Sequence, residues 1–355
     1  MLPKDISKKI LTIGCRYKRP RGGVAYVMYN YSRYVFPEFK CIANSGFRNK
    51  SLNIIYGFIA MIATFFRLCI DRKIKIVHIH TASYNSFRRS AIFVDLALVF
   101  GKKPILHIHG GGFKEFYATK PEWISKVLNK CATIIVLSQS WKQFFESITD
   151  NVPIHIVNNV VSAPSQDSFE KIDDSKFHLL FLGLLDRQKG IFDLLNAIAD
   201  NKDTFKDRIH LHIGGNGDKG CLIKRINVLK IENIVTYEGF VSGKKKEELL
   251  QMCDAYILPS YVEGLPLSII EAMTYGKPIL TTPVGAIPEI VSHGKNGLLF
   301  NPGDEEGIAN SINTLMNNKK QCLYMGECSK LVANDFLPEM VSHKLYSIYS
   351  NLIGI

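Results

Sequence analysis

Residues 255–281 read AYILPSYVEGLPLSIIEAMTYGKPILT. A short apolar run at 255–258 leads into a loop, then a helical pattern, then a second apolar run at 278–281. Strand, loop, helix and strand in this order make a βαβ unit of a parallel sheet. Pro266 suits the first helical position, where its fixed φ fits and its missing N–H is not needed. Ile269, Ile270 and Met273 give the helix a face that can pack. Glu263 and Glu271 flank the helix start, eight residues apart. Packing gains nothing from Glu271, because a carboxylate is seldom buried without a partner. The segment therefore reads as built to hold a polar group at a helix N-terminus, where free N–H groups and the dipole favour an anion.

The same alternation extends outward in both directions. Candidate strands lie at 10–14, 76–80, 104–109, 133–137 and 154–157, and again at 178–183, 208–214, 234–238, 255–258, 278–281 and 298–300. The polar stretch 162–176 between the two series has the composition of a linker. Helical patterns near 306–317 and 338–352 close the chain. The expected fold class is α/β, with two doubly wound Rossmann-like domains. The expected limits are 1–165, 166–337, and a helix at 338–355 packing back toward the N-terminal domain. Ligands of such sheets bind beyond the carboxyl ends of the strands, and an interdomain cleft is the expected site.

The 355 residues suffice for two domains, and 46% hydrophobic with 21% charged residues is a globular balance. Residues 1–170 hold 24 Lys+Arg against 10 Asp+Glu, a charge of +14, and the remainder holds 20 against 22, a charge of −2. Such asymmetry points the first half toward an anionic partner. The chain has neither zinc-finger spacing nor an aromatic-basic RNA motif, so nucleic acid is not expected. A membrane with anionic headgroups fits better. Eight scattered cysteines without a CxxC read as reduced thiols of a cytoplasmic protein. No signal-peptide apolar region precedes the first strand. The apolar stretch 52–70, LNIIYGFIAMIATFFRLCI, is read as a buried helix, with a membrane-surface helix and a span as alternatives.

Four elements carry chemistry. RYKRPRGG (16–23) places four cations before Gly22 and Gly23, where backbone can approach a ligand closely. HIHGGG (107–112) ends a strand with His109 at its carboxyl end, and His78 and His80 end the preceding strand. An H-x-H pair can present two imidazoles to zinc, but neither DxD nor HExxH occurs, so no metal is expected. GLLDRQKG, from Gly183 to Gly190, supplies Arg187 and Lys189 to balance a diphosphate. Gly214-Gly215-Asn216-Gly217 is another glycine turn after a strand. By itself such a turn is weak, since nucleotide-binding folds of several kinds share it, so a nicotinamide is disfavoured and no cofactor is expected.

Taken together, these residues resemble the GT-B-fold retaining glycosyltransferases, and within them family 4. The strongest part is Pro259 to Pro266 with Glu263, through Glu271, Gly276-Lys277-Pro278 and Gly285, with Pro288-Glu289 beyond, which looks like the family's E-x7-E signature. Gly22–Gly23, His109, Gly183 to Gly190, Gly215 with Gly217, and the segment 296–304 are supporting matches. HIHGGG and SYNSFRRS (83–90) look like enzymes of bacterial surface-polysaccharide synthesis.

The resemblance implies a UDP- or GDP-sugar donor held by 166–337 and a saccharide acceptor bound by 1–165, and a lipid-linked acceptor at the inner face of the cytoplasmic membrane is consistent with the +14 charge of the first half and the apolar stretch 52–70. It implies that Glu271 accepts from the ribose hydroxyls and Glu263 lies near the donor sugar. N–H groups around Gly264, Leu265 and Pro266 would cap the diphosphate, with Pro266 itself donating none. Lys189 would neutralise the leaving phosphates, and His109 would contact the donor sugar. The family usually has arginine where this chain has Leu184, and Arg187 lies three residues on. Competing readings are a GT-B-fold nucleotide-sugar epimerase, a metal hydrolase built on the H-x-H pairs and a non-catalytic binder.

Overall fold

The structure, a computed structural model, describes residues 1–18, 22–46, 50–165 and 175–355. The cations Arg19 and Arg21 of the 16–23 motif, and most of the expected linker, fall outside the described residues. The chain forms two compact units, Met1–Ser162 with Asp335–Ile355, and Ala163–Asn334.

Among the described residues, the first unit carries a six-stranded sheet in the order β2-β1-β3-β4-β5-β6, every pair parallel. Its strands are β1 (Ile10–Cys15), β2 (Cys41–Ser45), β3 (Ile76–Thr81), β4 (Lys103–Ile108), β5 (Thr133–Val136) and β6 (Ile154–Ile156). β3 is buried throughout, as a strand covered by helices on both faces should be. β2 was not expected from the sequence. It is a half-buried edge strand, CIANS, whose polar residues break the apolar signal. The last helix, Pro338–Ile353, belongs to this unit, where the Tyr349 hydroxyl lies 2.6 Å from His78 Nδ1.

The second unit has strands β7 (Phe177–Leu182), β8 (Ile209–Gly214), β9 (Val235–Gly239), β10 (Ala255–Leu258), β11 (Ile279–Thr281) and β12 (Gly297–Leu299). Their order, β12-β11-β10-β7-β8-β9, is again wholly parallel. It is the doubly wound order in which connections run outward both ways from one pair, here β7 and β10. Loops leaving the carboxyl ends of these two strands diverge and open a crevice between them. The loops are 183–190 and 259–266.

Two expectations are corrected. Pro266 is not the first helical residue but the N-cap of Leu267–Thr274, with extended ψ of 123°. The apolar stretch 52–70 is helical, within Lys50–Ile70, but it is not buried. Ala60, Thr64 and Leu68, four residues apart, are its buried stripe. Ala60 and Thr64 are small and allow close approach to the sheet, whereas Leu52, Ile54, Ile55, Phe58, Ile59, Ile62, Phe65, Phe66 and Ile70 face outward.

Candidate functional site

The crevice at β7 and β10 is built from backbone. Gly183 N donates to Gly214 O at 3.0 Å and Leu185 N to Asn216 O at 2.7 Å, so the two glycine turns lie side by side. Gly215 N donates in turn to Gly239 O at 2.8 Å, and Leu185 bridges to Gly217. Asp186 Oδ1 accepts from Lys189 N at 3.0 Å, closing a single 3-10 turn at Arg187–Lys189. Gly190 follows at φ +67°, where a Cβ would run into the Pro259 carbonyl oxygen. Tyr261 N donates to Gln188 O at 2.8 Å, joining the loops after β7 and β10.

This join sets the charged pair. Lys189 Nζ lies 2.5 Å from Glu263 Oε1, and Ser260 Oγ donates to the same oxygen at 2.7 Å. The Glu263 side chain is only 8% exposed. Gly285, at φ +59°, presses against the carbonyls of Glu263 and Gly264, a contact that any side chain would fill. Ala286 N donates to Gly264 O at 2.9 Å and fixes the loop from the other side. Leu265 is buried and Gly264 half-buried.

Glu271 is buried on the helix that starts here, and Lys246 Nζ lies 2.6 Å from its Oε1. Ile269, Ile270 and Met273 pack inward as expected. The structure thus brings Lys189, Glu263, Gly183, Gly215 and Gly217 to the ends of adjacent strands, and seats Glu271 one turn into the following helix. Arg187 and Leu184 are exposed. Lys246 and Ser260 went unread in the sequence. Lys246 sits in KKKEE, which looks like a solvated helix face, and a lone serine before the signature carries no signal.

In the first unit, Gly22 caps the helix Gly23–Asn30 at φ +97°, and both glycines are exposed. His109 lies just beyond the carboxyl end of β4 as expected, but not alone. His78, His80, His107 and His109 form a ladder of stacked rings, with centroids 4.2–5.3 Å apart for adjacent pairs. The register explains it: β3 and β4 pair in parallel with His80 opposite His107, and each H-x-H projects to one face.

Asn159 Oδ1 can only accept, so His109 Nδ1–H donates to it at 3.2 Å. The remaining Nε2 of a neutral ring then accepts from His80 Nδ1 at 2.9 Å. A second relay runs from Tyr349 through His78 to His107 Nδ1, at 2.6 and 3.2 Å. Among the described residues, the relays end at His80 Nε2 and His107 Nε2, which have no partner. Burial holds every member neutral: His109 is pushed down to about 4, against a smaller upward pull from Asn159, and His78 to about 3. His80 and His107 lie well below the ordinary histidine value for the same reason.

Ligand atoms of His78, His80 and His107 lie within 4.8 Å of one another. Yet their ring planes are within 13–30° of parallel. Both nitrogens of His78 are moreover already bonded, to Tyr349 and to His107 Nδ1, and His80 Nδ1 to His109, which leaves only His80 Nε2 and His107 Nε2 uncommitted, too few for a metal centre. The ladder fits hydrogen-bonded packing better than a metal centre. The other histidine group is His178, His210 and His212. Here a carboxylate stands close: Glu238 Oε1 is 2.7 Å from His212 Nδ1.

With this geometry in hand, the comparisons with known proteins are specific. Residues 163–332 match the family described as Glycosyl transferases group 1, a span that coincides with the second unit. An uncharacterised glycosyltransferase of Methanocaldococcus jannaschii is 27% identical over 319 residues, covering 85% of this chain and 79% of the relative. An uncharacterised 41.2 kDa protein of the cps region of Klebsiella pneumoniae is 26% identical over 303 residues, 79% of each chain. The crystal structure of Anabaena Alr3699/HepE in complex with UDP superimposes with a TM-score of 0.75 at 17% identity, over 97% of this chain and 100% of that one. The fold is therefore α/β with two Rossmann-like units of GT-B type, and its second unit is similar to the group 1 glycosyltransferases. They do not favour the epimerase or hydrolase readings.

Proposed function

We propose that the protein is a retaining, metal-independent glycosyltransferase of family 4 that moves a sugar from a UDP- or GDP-sugar to a saccharide acceptor. The acceptor in this reading is lipid-linked, and the enzyme works peripherally at the cytoplasmic face of the membrane in bacterial surface-polysaccharide synthesis. One observation carries the proposal. Where β7 and β10 diverge, a lysine and a glutamate are clamped together by two side-chain-intolerant glycines, and a buried glutamate sits on the helix that begins there. A cation fixed beside backbone N–H groups suits a diphosphate, and a buried carboxylate suits ribose hydroxyls. That HepE binds UDP-glucose, and that the Klebsiella relative lies in a cps region, support the donor class and the setting.

The chemical difficulty is cleavage of an anomeric C–O bond to a nucleoside diphosphate. As the bond breaks, the sugar becomes oxocarbenium-like and negative charge grows on the departing phosphate. Stabilising that charge in a preorganised site is the largest available contribution. In this reading the diphosphate draws Lys189 from Glu263, and N–H groups of 264–265 complete its shell. Glu263, its Oε1 already shared with Ser260, orients the sugar and is no nucleophile, unlike the paired carboxylates of retaining glycosidases. The departing phosphate takes the acceptor's proton on the same face. His109 is proposed to contact the donor sugar, its tautomer set by His80 and Asn159.

A thermal-shift panel of nucleotides and nucleotide sugars tests the donor class. A specific donor at a hundred times its Kd should add about 2.7 kcal/mol of stability. Product NMR with the matching donor then reads the anomeric configuration, and EDTA tests the independence from metal. If no nucleotide sugar shifts the transition, the donor assignment fails. An inverted product removes the retaining mechanism alone.

A further inference from the structure

The helix Lys50–Ile70 presents an apolar face that no described residue of the first unit covers. Ile54 is 71% exposed, Phe58 60%, Phe66 57% and Ile70 79%, and five more large apolar side chains lie open between Leu52 and Phe65. The surface continues onto the neighbouring helix Asn85–Val99. Phe65 meets Phe100 just past its end, with centroids 5.3 Å apart, and Leu98 and Val99 are exposed beside it. Single exposed apolar residues are ordinary, but a contiguous patch of this size marks an interaction site.

By length and apolarity alone the helix could cross a bilayer. The topology forbids it. Its N-terminal end leaves β2 and its C-terminal end enters β3, and both strands pair directly with β1 in one sheet. Both ends must therefore stay on the same side of any membrane. The stripe Ala60, Thr64 and Leu68 also buries one side of the helix over its second half, with Thr64 Oγ1 turned back onto Ala60 O at 2.7 Å.

Charge selects the occupant. The helix contains no acidic residue. Asp71, immediately after it, is neutralised by Lys40 at 2.8 Å and Arg67 at 3.5 Å. Arg72, Lys73, Lys75 and Lys103 then stand exposed past its last turn, within the half of the chain that carries +14. An interface between protein copies is depleted of charge at its core and needs no such cationic border. An apolar helix face with a rim of cations matches an anionic bilayer surface, with side chains entering the acyl boundary and ammonium groups among the headgroups.

We propose that Lys50–Ile70, with the end of Asn85–Val99, is the surface by which the protein docks in plane on an anionic membrane. The inference deepens the lipid-linked-acceptor reading, but its test does not pass through catalysis. The full chain is floated with phosphatidylcholine vesicles with and without phosphatidylglycerol. It should rise with the anionic vesicles and be released by salt. The variant Ile54→Ser/Phe58→Ser/Phe66→Ser should bind these vesicles about 100-fold or more weaker, and Arg72→Glu/Lys73→Glu should lose the preference for phosphatidylglycerol. Both variants should keep the wild-type thermal transition and its shift with nucleotide, so a failed donor assignment and a failed docking surface give different results. Wild-type protein that stays unbound with both vesicles overturns the proposal. So does triple-variant binding equal to wild type, or a lipid-free dimer in light scattering that the triple variant converts to monomer, which would assign the face to a second copy.

Discussion

Lys246 and Glu271 stand 2.6 Å apart, one on the helix Gly243–Met252 and the other on Leu267–Thr274, with side chains only 15% and 10% exposed. Breaking such a pair from one side strands the other charge away from water. Lys246→Ala should therefore destabilise the second unit by roughly 3 kcal/mol in urea unfolding, and Lys246→Ala/Glu271→Gln should recover part of it. If the single variant unfolds like wild type, the pair is not holding this helix. Glu271→Ala should also weaken donor binding in calorimetry by about tenfold or more, as a charged hydrogen-bond acceptor for ribose would.

Lys189 is placed to meet charge that grows only as the donor bond breaks. Lys189→Met should lower kcat on the order of 10²–10³ with a smaller change in KM. A variant with normal turnover, or with loss confined to KM, would remove Lys189 from leaving-group stabilisation.

Gly190 joins backbone conformation to site geometry. Its φ of +67° and the Pro259 carbonyl both exclude a side chain. Gly190→Ala should lose at least about 1–2 kcal/mol from the left-handed conformation alone, and the melting temperature and turnover should fall together. Unchanged stability with normal activity would show that the two loops do not depend on this contact.

The histidine ladder makes the first unit sensitive to acid. Unfolded histidines take up protons near pH 6.5, whereas the four buried rings do so only at much lower pH. The unfolded chain thus binds more protons, so stability rises with pH through this window and is lost as pH falls. From about pH 7.5 to about pH 5.5 the loss should approach roughly 5 kcal/mol if all four rings stay neutral. A flat or opposite dependence in urea titrations would refute it. Asn159→Asp, which sets a carboxylate beside His109, should raise that ring's pKa and move the acid limb of the kcat/KM profile upward.

The parallel α/β order was legible because eleven strands announce themselves as apolar runs at loop-and-helix spacing. β2 did not, since an edge strand such as CIANS is only half-buried and carries polar residues. Glu263 and Glu271 could be read because two carboxylates interrupt an otherwise apolar helix start. Their partners could not: Lys246 lies 25 positions upstream on a different helix, and only the register of β3 against β4 shows that H-x-H pairs stack. The stretch 52–70 was misread for a related reason. Hydropathy reports how apolar a helix is, whereas the side that meets the sheet is set by Ala60, Thr64 and Leu68 alone.

The bond from Tyr349 to His78 spans 271 positions of chain. During synthesis the first lobe must wait for the helix Pro338–Ile353 to emerge before its interior is sealed, and the lobe encoded between them can finish earlier. Damage to this helix would thus injure the part of the protein made earlier, not the part made just before it.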